Sequence, residues 1–196
     1  MQTADGHDYA VLSRTEQFAS KVFRIITDDV AMPGGRSARR DYMVHIGSVG
    51  VVAIDESGPA ERIVLVRQYR HPVRRHMWEL PAGLIDVDGE PLERTAIREL
   101  EEEADLTAGR VEPFIDAYMS PGCSNELIRL FLARDLRPVP DEDRHERHDE
   151  EAGMTTHLVD LDEAVTMALR GEITNGACLV GVLAAARARD LGWPAR

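Results

Sequence analysis

Three glutamates on one short segment constrain this chain more than any other feature of its sequence. Within residues 98–103, Glu99, Glu102 and Glu103 occupy positions i, i+3 and i+4, so a helix would place their carboxylates on one face. Like charges at these spacings repel by roughly 0.2–0.5 kcal/mol per exposed pair, and by more when partly buried. Water could compensate this repulsion, as on an ordinary solvated surface. A hard divalent cation such as Mg2+, which prefers oxygen ligands, would also do so.

The apolar residues around these glutamates predict the helix itself. Leu92, Ala96 and Leu100 recur every four residues along one face of 91–104, and Pro91 suits a first helical turn. Apolar runs typical of strands lie before and after this helix. They cover residues 47–55, 63–69, 111–119, 127–133 and 154–159. The polar run 138–151 separates the last two and is expected to be a surface loop.

The chain before position 47 predicts a separate small sheet. Two strand-like runs, 22–30 and 39–46, flank the turn signal Met-Pro-Gly-Gly at 32–35. We therefore expect an N-terminal antiparallel element over 1–46 and a larger α/β (α+β) domain over 47–196.

Two helices are predicted after the last strand. The first begins at Asp160, which has Glu163 three residues later as in a capping box, and it ends at Gly171. The second covers 175–190, and its apolar side is expected to pack on the sheet. That side consists of Leu179, Val182, Leu183 and Ala186.

Composition limits the partners and the location of the protein. Acidic residues outnumber basic ones by 35 to 23, and the formal net charge of -12 opposes binding to a nucleic-acid backbone. No apolar run approaches the roughly twenty residues needed to cross a bilayer, and the first residues lack the pattern of a signal peptide. The two cysteines, Cys123 and Cys178, provide no disulfide framework. We therefore expect a cytoplasmic protein with neither a nucleic-acid nor a membrane partner.

The surroundings of the acidic helix resemble the loop-helix-loop signature of the Nudix family. Gly83 introduces the loop, Glu90 lies eight residues before Arg98, and residues 104–106 end the helix. Two positions depart from the family pattern. Six residues rather than five separate Gly83 from Glu90, and Asp105 stands where the pattern has a glycine. We expect Asp105 to adopt the left-handed conformation at some energetic cost.

This resemblance implies a mixed β-sheet sandwiched between helices and a metal-dependent hydrolase of a pyrophosphate bond. The metal ions, Mg2+ or alternatively Mn2+, would be bound by Glu99, Glu102, Glu103 and the backbone carbonyl of Ala82. Arg98 and Glu90 would orient these ligands, and Arg98 and Glu99 count among the catalytic residues.

Residues outside the signature resemble the ADP-ribose pyrophosphatase branch of the family. They are Glu-Leu-Pro-Ala-Gly at 79–83 and Ser-Pro-Gly at 120–122. The branch implies cleavage of ADP-ribose to AMP and ribose 5-phosphate by a base on a loop that closes over the substrate. Glu151 is the candidate base, and a one-residue slip in the alignment would favour Glu150. The alternative is that this acidic loop is merely solvated.

The same resemblance implies several substrate contacts and an assembly. The small-molecule substrate would be contacted by Arg40, Phe23, Arg70, Glu79 and Glu126. Structural salt bridges, and a core position for Phe23, are the alternatives. Relatives in this branch are domain-swapped homodimers, in which the N-terminal sheet of one subunit, here with Arg40 and Phe23, helps to hold the adenine bound to the other.

Three other functions remain open at this point. A Nudix hydrolase could cleave another nucleoside diphosphate sugar, because the signature reads the pyrophosphate and not the groups attached to it. A non-catalytic sensor could bind ADP-ribose without cleaving it. An interaction protein could use the acidic helix to bind a basic partner, which would leave the spacing of the signature as a coincidence.

Overall fold

The computed structural model describes residues 7–148 and 152–193. Two compact units are distinguished, Met1–Gly47 with Tyr118–Leu127, and Ser48–Ala117 with Ile128–Arg196. Strands in the described residues are β1 Val11–Ala19, β2 Phe23–Met32, β3 Arg36–His45, β4 Ser48–Asp55, β5 Arg62–Arg70, β6 Arg75–Glu79, β7 Ala82–Leu84, β8 Leu106–Tyr118, β9 Leu127–Pro138 and β10 Thr155–Asp160. Helices are α1 Leu92–Ala104, α2 Leu161–Leu169 and α3 Gly176–Asp190.

The first unit contains an antiparallel sheet in the order β1-β2-β3. Its β2–β3 hairpin turns at Gly34 and Gly35, whose positive φ angles of 79° and 75° explain why the turn needs glycine. Residues 118–127 join this unit through hydrogen bonds such as that from the backbone N–H of Met43 to the carbonyl of Cys123, at 2.8 Å. The sequence predicts two strands here, and the described residues of this unit form three. Every residue of β1 is exposed, so this strand lacks the buried face that would reveal it in a sequence.

The second unit is built on a mixed sheet in the order β10-β5-β4-β9-β8. Strand β4 pairs in parallel with β9 along Ser48–Ala53. On its other edge the beginning of β4 pairs with β7, while its end pairs with β5, and both pairings are antiparallel. The strands β6 and β7 are missing from the sequence prediction, since five and three residues are too few for a recognisable period.

Alternate residues of β4 face two different layers of helices. On one face Val49, Val51 and Ala53 form a buried cluster with Ala96 and Leu100 of α1. On the other face, α3 approaches the sheet. Each fully buried aliphatic side chain stabilises the fold by roughly 1.5–3 kcal/mol relative to exposure. The observed class is therefore the predicted one, a mixed sheet between helices with a small antiparallel sheet in the N-terminal part.

Helix α2 begins and ends where the sequence predicts, and α3 begins with a side-chain cap that was not predicted. The Asp160 carboxylate accepts the backbone N–H of Asp162 at 2.9 Å, one residue before the position that a capping box would use. Gly171 has a φ of 75°, as expected of a left-handed residue after a helix. The Asn175 side chain accepts the backbone N–H of Cys178 at 2.9 Å at the start of α3.

Of the predicted apolar side of α3, Val182 is fully buried, Leu179 and Ala186 are partly buried, and only Leu183 is exposed. The buried face of the helix consists of Cys178, Gly181, Val182 and Ala185, and Leu183 remains 44% exposed. A Cβ at Gly181 would lie 2.6 Å from Cδ1 of Leu80 and 3.0 Å from Cγ2 of Val52. The helix therefore packs through its smallest residues, and apolar residues on every side leave no periodic signal for that choice.

No helix within the described residues is long and apolar enough to cross a membrane.

Candidate active site

Helix α1 presents the three glutamates as its sequence predicts. Leu100 is fully buried and fixes the rotation of the helix. With that rotation, Glu99 and Glu103 are only 7% and 5% exposed, and Glu102 is half-buried beside them. Burying carboxylates is unfavourable unless they are hydrogen-bonded or paired, so their partners define what the site can do.

Gly83 lies against the carboxylate of Glu99. A Cβ at position 83 would be 2.0 Å from Cδ of Glu99, which is closer than any two such atoms can approach. A side chain at position 83 would therefore displace the carboxylate of Glu99, because strand β7 passes directly over this metal-ligand candidate.

Strand β7 also holds Glu103. The Oε2 atom of Glu103 accepts the backbone N–H of Ala82 at 2.8 Å. Ala82, whose carbonyl is the predicted fourth metal ligand, is thus a direct neighbour of Glu103. The helix and the strand are joined at the two positions from which the sequence predicts metal binding.

Arg98 pairs with the remaining carboxylates. Its Nη1 atom lies 2.6 Å from Oε1 of Glu99 and 3.2 Å from Oε2 of Glu102. Its Nη2 atom lies 3.4 Å from Oε2 of Glu90, which also accepts a hydrogen bond from the Thr95 hydroxyl at 2.9 Å. Arg98 therefore contacts two of the ligand candidates directly, and Glu90 contacts Arg98.

Burial raises the pKa of Glu99 to about 7. The nearby positive charge of Arg98 opposes this change, and the negative charges of Glu102 and Asp86 add to it. Near neutral pH this carboxylate is consequently only partly ionised. A cation bound at Glu99 would have to displace the remaining proton.

The side chains at this place fit a hard divalent cation, because Glu99, Glu102 and Glu103 supply carboxylate oxygens and such ions prefer oxygen ligands. In the arrangement described, Arg98 and the Ala82 N–H engage the glutamates instead. Within residues 7–148 and 152–193, no three His, Cys, Asp or Glu side chains converge closely enough to hold an ion. Binding a metal would thus require the Arg98 contacts to rearrange.

Arg70 and Glu79, predicted to contact substrate, form an ion pair between β5 and β6. Nη2 of Arg70 lies 2.7 Å from Oε2 of Glu79, and its Nε is 3.0 Å from Oε1. The Glu79 carboxylate is buried, and Gln68 donates to it at 3.4 Å. The guanidinium of Arg70 is partly exposed, whereas the Glu79 carboxylate is buried beneath it. The pair therefore places a positively charged group at the surface and holds it there through Glu79.

The other three substrate-contact candidates belong to the first unit. The ring of Phe23 lies 5.9 Å from that of Phe18, and the exposed Arg40 donates to the carbonyl of Arg39 at 2.8 Å. Glu126 is half-buried, and its backbone N–H donates to the Ser124 hydroxyl at 2.9 Å. The candidate bases Glu150 and Glu151 lie outside the described residues.

Two neighbours of the signature were not predicted. Asp86 lies 3.6 Å from Nη2 of Arg98, and its acidic character within the signature loop was an available signal. Arg147 donates to the carbonyl of Glu102 at 2.9 Å and to the Asp105 carboxylate at 2.8 Å. A lone arginine in a polar loop far along the chain carries no sequence signal for such contacts.

The chain is similar to known proteins over most of its length. A family model described as the NUDIX domain matches residues 44–177. The chain is 43% identical over 178 residues to an ADP-ribose pyrophosphatase of Mycobacterium tuberculosis, covering 91% of this chain and 83% of the relative. It is 33% identical over 162 residues to an ADP-ribose pyrophosphatase of Bacillus subtilis, covering 83% and 84%.

The fold has a counterpart among solved structures. The structure titled "Crystal structure of ADP compounds hydrolase" matches with a TM-score of 0.77, covering 96% of this chain and 98% of that one. At 19% sequence identity, this likeness concerns the fold alone.

Proposed function

This chain belongs to the Nudix family of hydrolases, and on that premise we propose that it hydrolyses the pyrophosphate bond of ADP-ribose to AMP and ribose 5-phosphate. The observation that carries the proposal is the set of three glutamates on one face of α1, of which Glu99 and Glu102 pair with Arg98 while Glu103 accepts the Ala82 N–H of β7. The substrate is inferred from the two relatives, which both have the name of ADP-ribose pyrophosphatases.

In this proposal the glutamates and the Ala82 carbonyl hold Mg2+, with Mn2+ as the alternative. When bound, the metal supplies charge neutralisation on the diphosphate and a more acidic water. Arg98 keeps Glu99 and Glu102 close together in the absence of the ion, which limits their mutual repulsion. Its release from them frees the oxygens that the ion needs.

Glu151 is the proposed base, with Glu150 as the alternative. The base takes a proton from the attacking water, whose oxygen forms a bond to one phosphorus atom. The bond from that phosphorus to the bridging oxygen breaks, and the bridging oxygen leaves on the other phosphate. One water is consumed, and two phosphate monoesters are formed.

Arg70 is proposed to bind the substrate diphosphate. A guanidinium matches the geometry of phosphate oxygens, and the buried Glu79 keeps this one in place from behind. By family resemblance, Glu79 would also contact substrate near the diphosphate, and Glu126 would contact the terminal ribose.

The proposed assembly is a domain-swapped homodimer in the cytoplasm. Arg40 and Phe23 of one subunit would contact the adenine bound to the other, by stacking and by charge. Both Cys123 and Cys178 are free thiols, which is the state that a reducing cytoplasm maintains.

A substrate panel tests the reaction directly. Purified protein is incubated with Mg2+ and either ADP-ribose, ADP-glucose, GDP-mannose, NADH or a nucleoside triphosphate, and the products are separated by chromatography. We expect the highest kcat/KM for ADP-ribose, with AMP and ribose 5-phosphate in equal amounts. Faster cleavage of another diphosphate would replace the substrate, and tight binding of ADP-ribose without products would support the sensor instead.

A further inference from the structure

A residue pair at the end of α1 is not used by the reaction proposed above. Nη2 of Arg147 lies 2.8 Å from Oδ2 of Asp105, and Nε of Arg147 donates to the carbonyl of Glu102 at 2.9 Å. Arg147 thus binds a residue just beyond the helix and a carbonyl of its last turn simultaneously. Forty-five residues separate Arg147 from Glu102 in the chain, so this is a tertiary contact.

Asp105 holds the segment after β9 at two points. Its carbonyl accepts the backbone N–H of Val139 at 2.9 Å, and Val139 is buried. Its carboxylate accepts Arg147, eight residues later. The stretch 139–147 therefore begins and ends on the same residue of the signature.

Arg147 differs from its neighbours in burial. All other residues of 141–148 are exposed, whereas Arg147 is largely covered. A long cation loses side-chain freedom when it is covered, and such burial is favourable only with good partners. The carboxylate of Asp105 and the negative end of the helix dipole are such partners.

The last carbonyls of α1 depend on this arrangement. A helix leaves its final C=O groups without intrahelical partners. The carbonyl of Glu102 accepts Arg147, and the carbonyl of Glu103 accepts the hydroxyl of Thr156 at 3.2 Å. Two of the proposed metal-ligand residues are therefore held at their backbone by side chains from beyond β9.

This arrangement explains why position 105 is an aspartate where the family pattern has a glycine. Asp105 has φ 55° and ψ 31°, the left-handed conformation that a glycine would adopt more easily. A glycine could cap the helix but could not bind Arg147. The aspartate thus accepts a less favourable backbone conformation and supplies a carboxylate.

We propose that Asp105 and Arg147 are a positioning pair, which fixes the last turn of α1 and the segment 139–147 in the geometry that turnover requires. The proposal rests on the proposed function, because it assumes that Glu102 and Glu103 on this turn serve catalysis. Neither residue of the pair needs to touch the substrate.

The test uses Asp105→Gly and Arg147→Ala in the full-length protein. Asp105→Gly retains the left-handed cap and removes only the carboxylate. We expect each variant to lower kcat by about tenfold while KM for ADP-ribose changes less than about twofold. The double variant should be no slower than either single one, and Arg147→Lys should recover part of the loss. Full kcat in Asp105→Gly, or additive losses in the double variant, would overturn the proposal.

A matched control comes from the same segment. Arg144 pairs with Asp141 at 2.8 Å, and both residues are exposed. Arg144→Ala should therefore leave kcat within about twofold of the wild-type value. An equal loss in Arg144→Ala would indicate that any disturbance of the segment matters, and would overturn the assignment to this pair.

Hydrogen exchange separates this proposal from the proposed function. Amides in peptides covering 139–148 should exchange faster in Arg147→Ala than in the wild type, whatever the substrate is. Equal exchange would overturn the anchoring. If the wild-type protein cleaves no diphosphate, the proposed function and the dependence of turnover on the pair both fail, while exchange still reports whether the pair holds the segment.

Discussion

At the scale of single residues, Arg98 pairs with two of the three carboxylates that share one helical face and with another from the preceding loop. It lies within 3.4 Å of oxygens of Glu99, Glu102 and Glu90. One cation therefore offsets much of the repulsion that the sequence predicts. If these glutamates bind a metal ion as proposed, the ion would have to replace Arg98 as their positive partner.

Glu103 is the first candidate metal ligand to test by substitution. Glu103→Gln should lower kcat by about a hundredfold or more and weaken Mg2+ activation, because an amide is a poorer ligand for a hard cation. The control is Glu101→Gln, which neutralises a charge on the same helix outside the shared carboxylate face. Steady-state kinetics over a range of Mg2+ concentrations make the measurement. Similar activity in both variants would remove Glu103 from the metal site.

The base is tested by a pair of neighbouring variants. If Glu151 takes the proton from water, Glu151→Gln should lower kcat by about a hundredfold with KM almost unchanged, and Glu150→Gln should stay near the wild type. The reverse result would assign the base to Glu150. Normal rates in both variants would leave the segment as a solvated acidic loop.

The pKa of Glu99 predicts a pH dependence of stability. Its folded value of about 7 lies above the ordinary value of 4.5, so the folded state binds more protons than the unfolded state between these pH values. The contribution of Glu99 is present below about pH 4.5 and is lost as pH rises through about 7. Glu99→Gln should remove this loss, which amounts to about 1–3 kcal/mol.

Urea unfolding of the metal-free protein at several pH values measures this effect. The difference in unfolding free energy between Glu99→Gln and the wild type should grow from pH 4.5 to 7.5 and shrink when Mg2+ is added. A difference that is independent of pH would contradict the raised pKa.

At the scale of secondary structure, the contact between α1 and β7 assembles the site. The Glu103 side chain holds the Ala82 N–H, and Gly83 leaves space for the carboxylate of Glu99. Helix and strand are thus joined through catalytic candidates rather than through ordinary apolar side chains. Stability and activity should respond together to a change at this contact.

Gly83→Ala tests that contact. The new Cβ would lie 2.0 Å from Cδ of Glu99, so either β7 or the glutamate must move. We expect kcat/KM to fall by about a hundredfold or more, with destabilisation of about 1–3 kcal/mol. Gly58→Ala is the control, because a Cβ there would meet its nearest neighbour at 3.7 Å. Steady-state kinetics and urea unfolding of both variants measure these effects. A Gly83→Ala variant with wild-type activity would show that the close contact between Gly83 and Glu99 is not needed for catalysis.

At the scale of the whole molecule, the proposed swapped dimer makes a prediction about mixed subunits. Arg40→Ala should raise KM for ADP-ribose, and Glu103→Gln should abolish turnover. If Arg40 acts on the site of the other subunit, a heterodimer of these two variants contains one site with both native residues. Coexpression of the two variants should then give a fraction of sites with the wild-type KM. A mixture of the separately purified homodimers should contain no such sites.

Light scattering accompanies that experiment. A homodimer of the 21.8 kDa chain should have a mass of 2 × 21.8 = 43.6 kDa. A mass of one chain would end the dimer proposal, and a dimer without complementation would assign Arg40 to the site of its own subunit.

The sequence by itself determined the features that depend on local spacing. Glu99, Glu102 and Glu103 share a face because a helix repeats every 3.6 residues, whatever surrounds it. The glycine turn at 34–35 likewise follows from backbone preferences of single residues, whereas the left-handed Asp105 was expected because the family pattern has a glycine at this position.

Only the tertiary structure decided which distant groups meet. The buried face of α3 depends on how closely Gly181 can approach Leu80, and the signature glycine Gly83 is explained by the position of Glu99 across a helix and a strand. Arg147 contacts Glu102 from forty-five residues away in the chain, and no sequence pattern around either residue predicts this contact. Local preference acts within a few residues, whereas packing selects among all surfaces that the folded chain brings together.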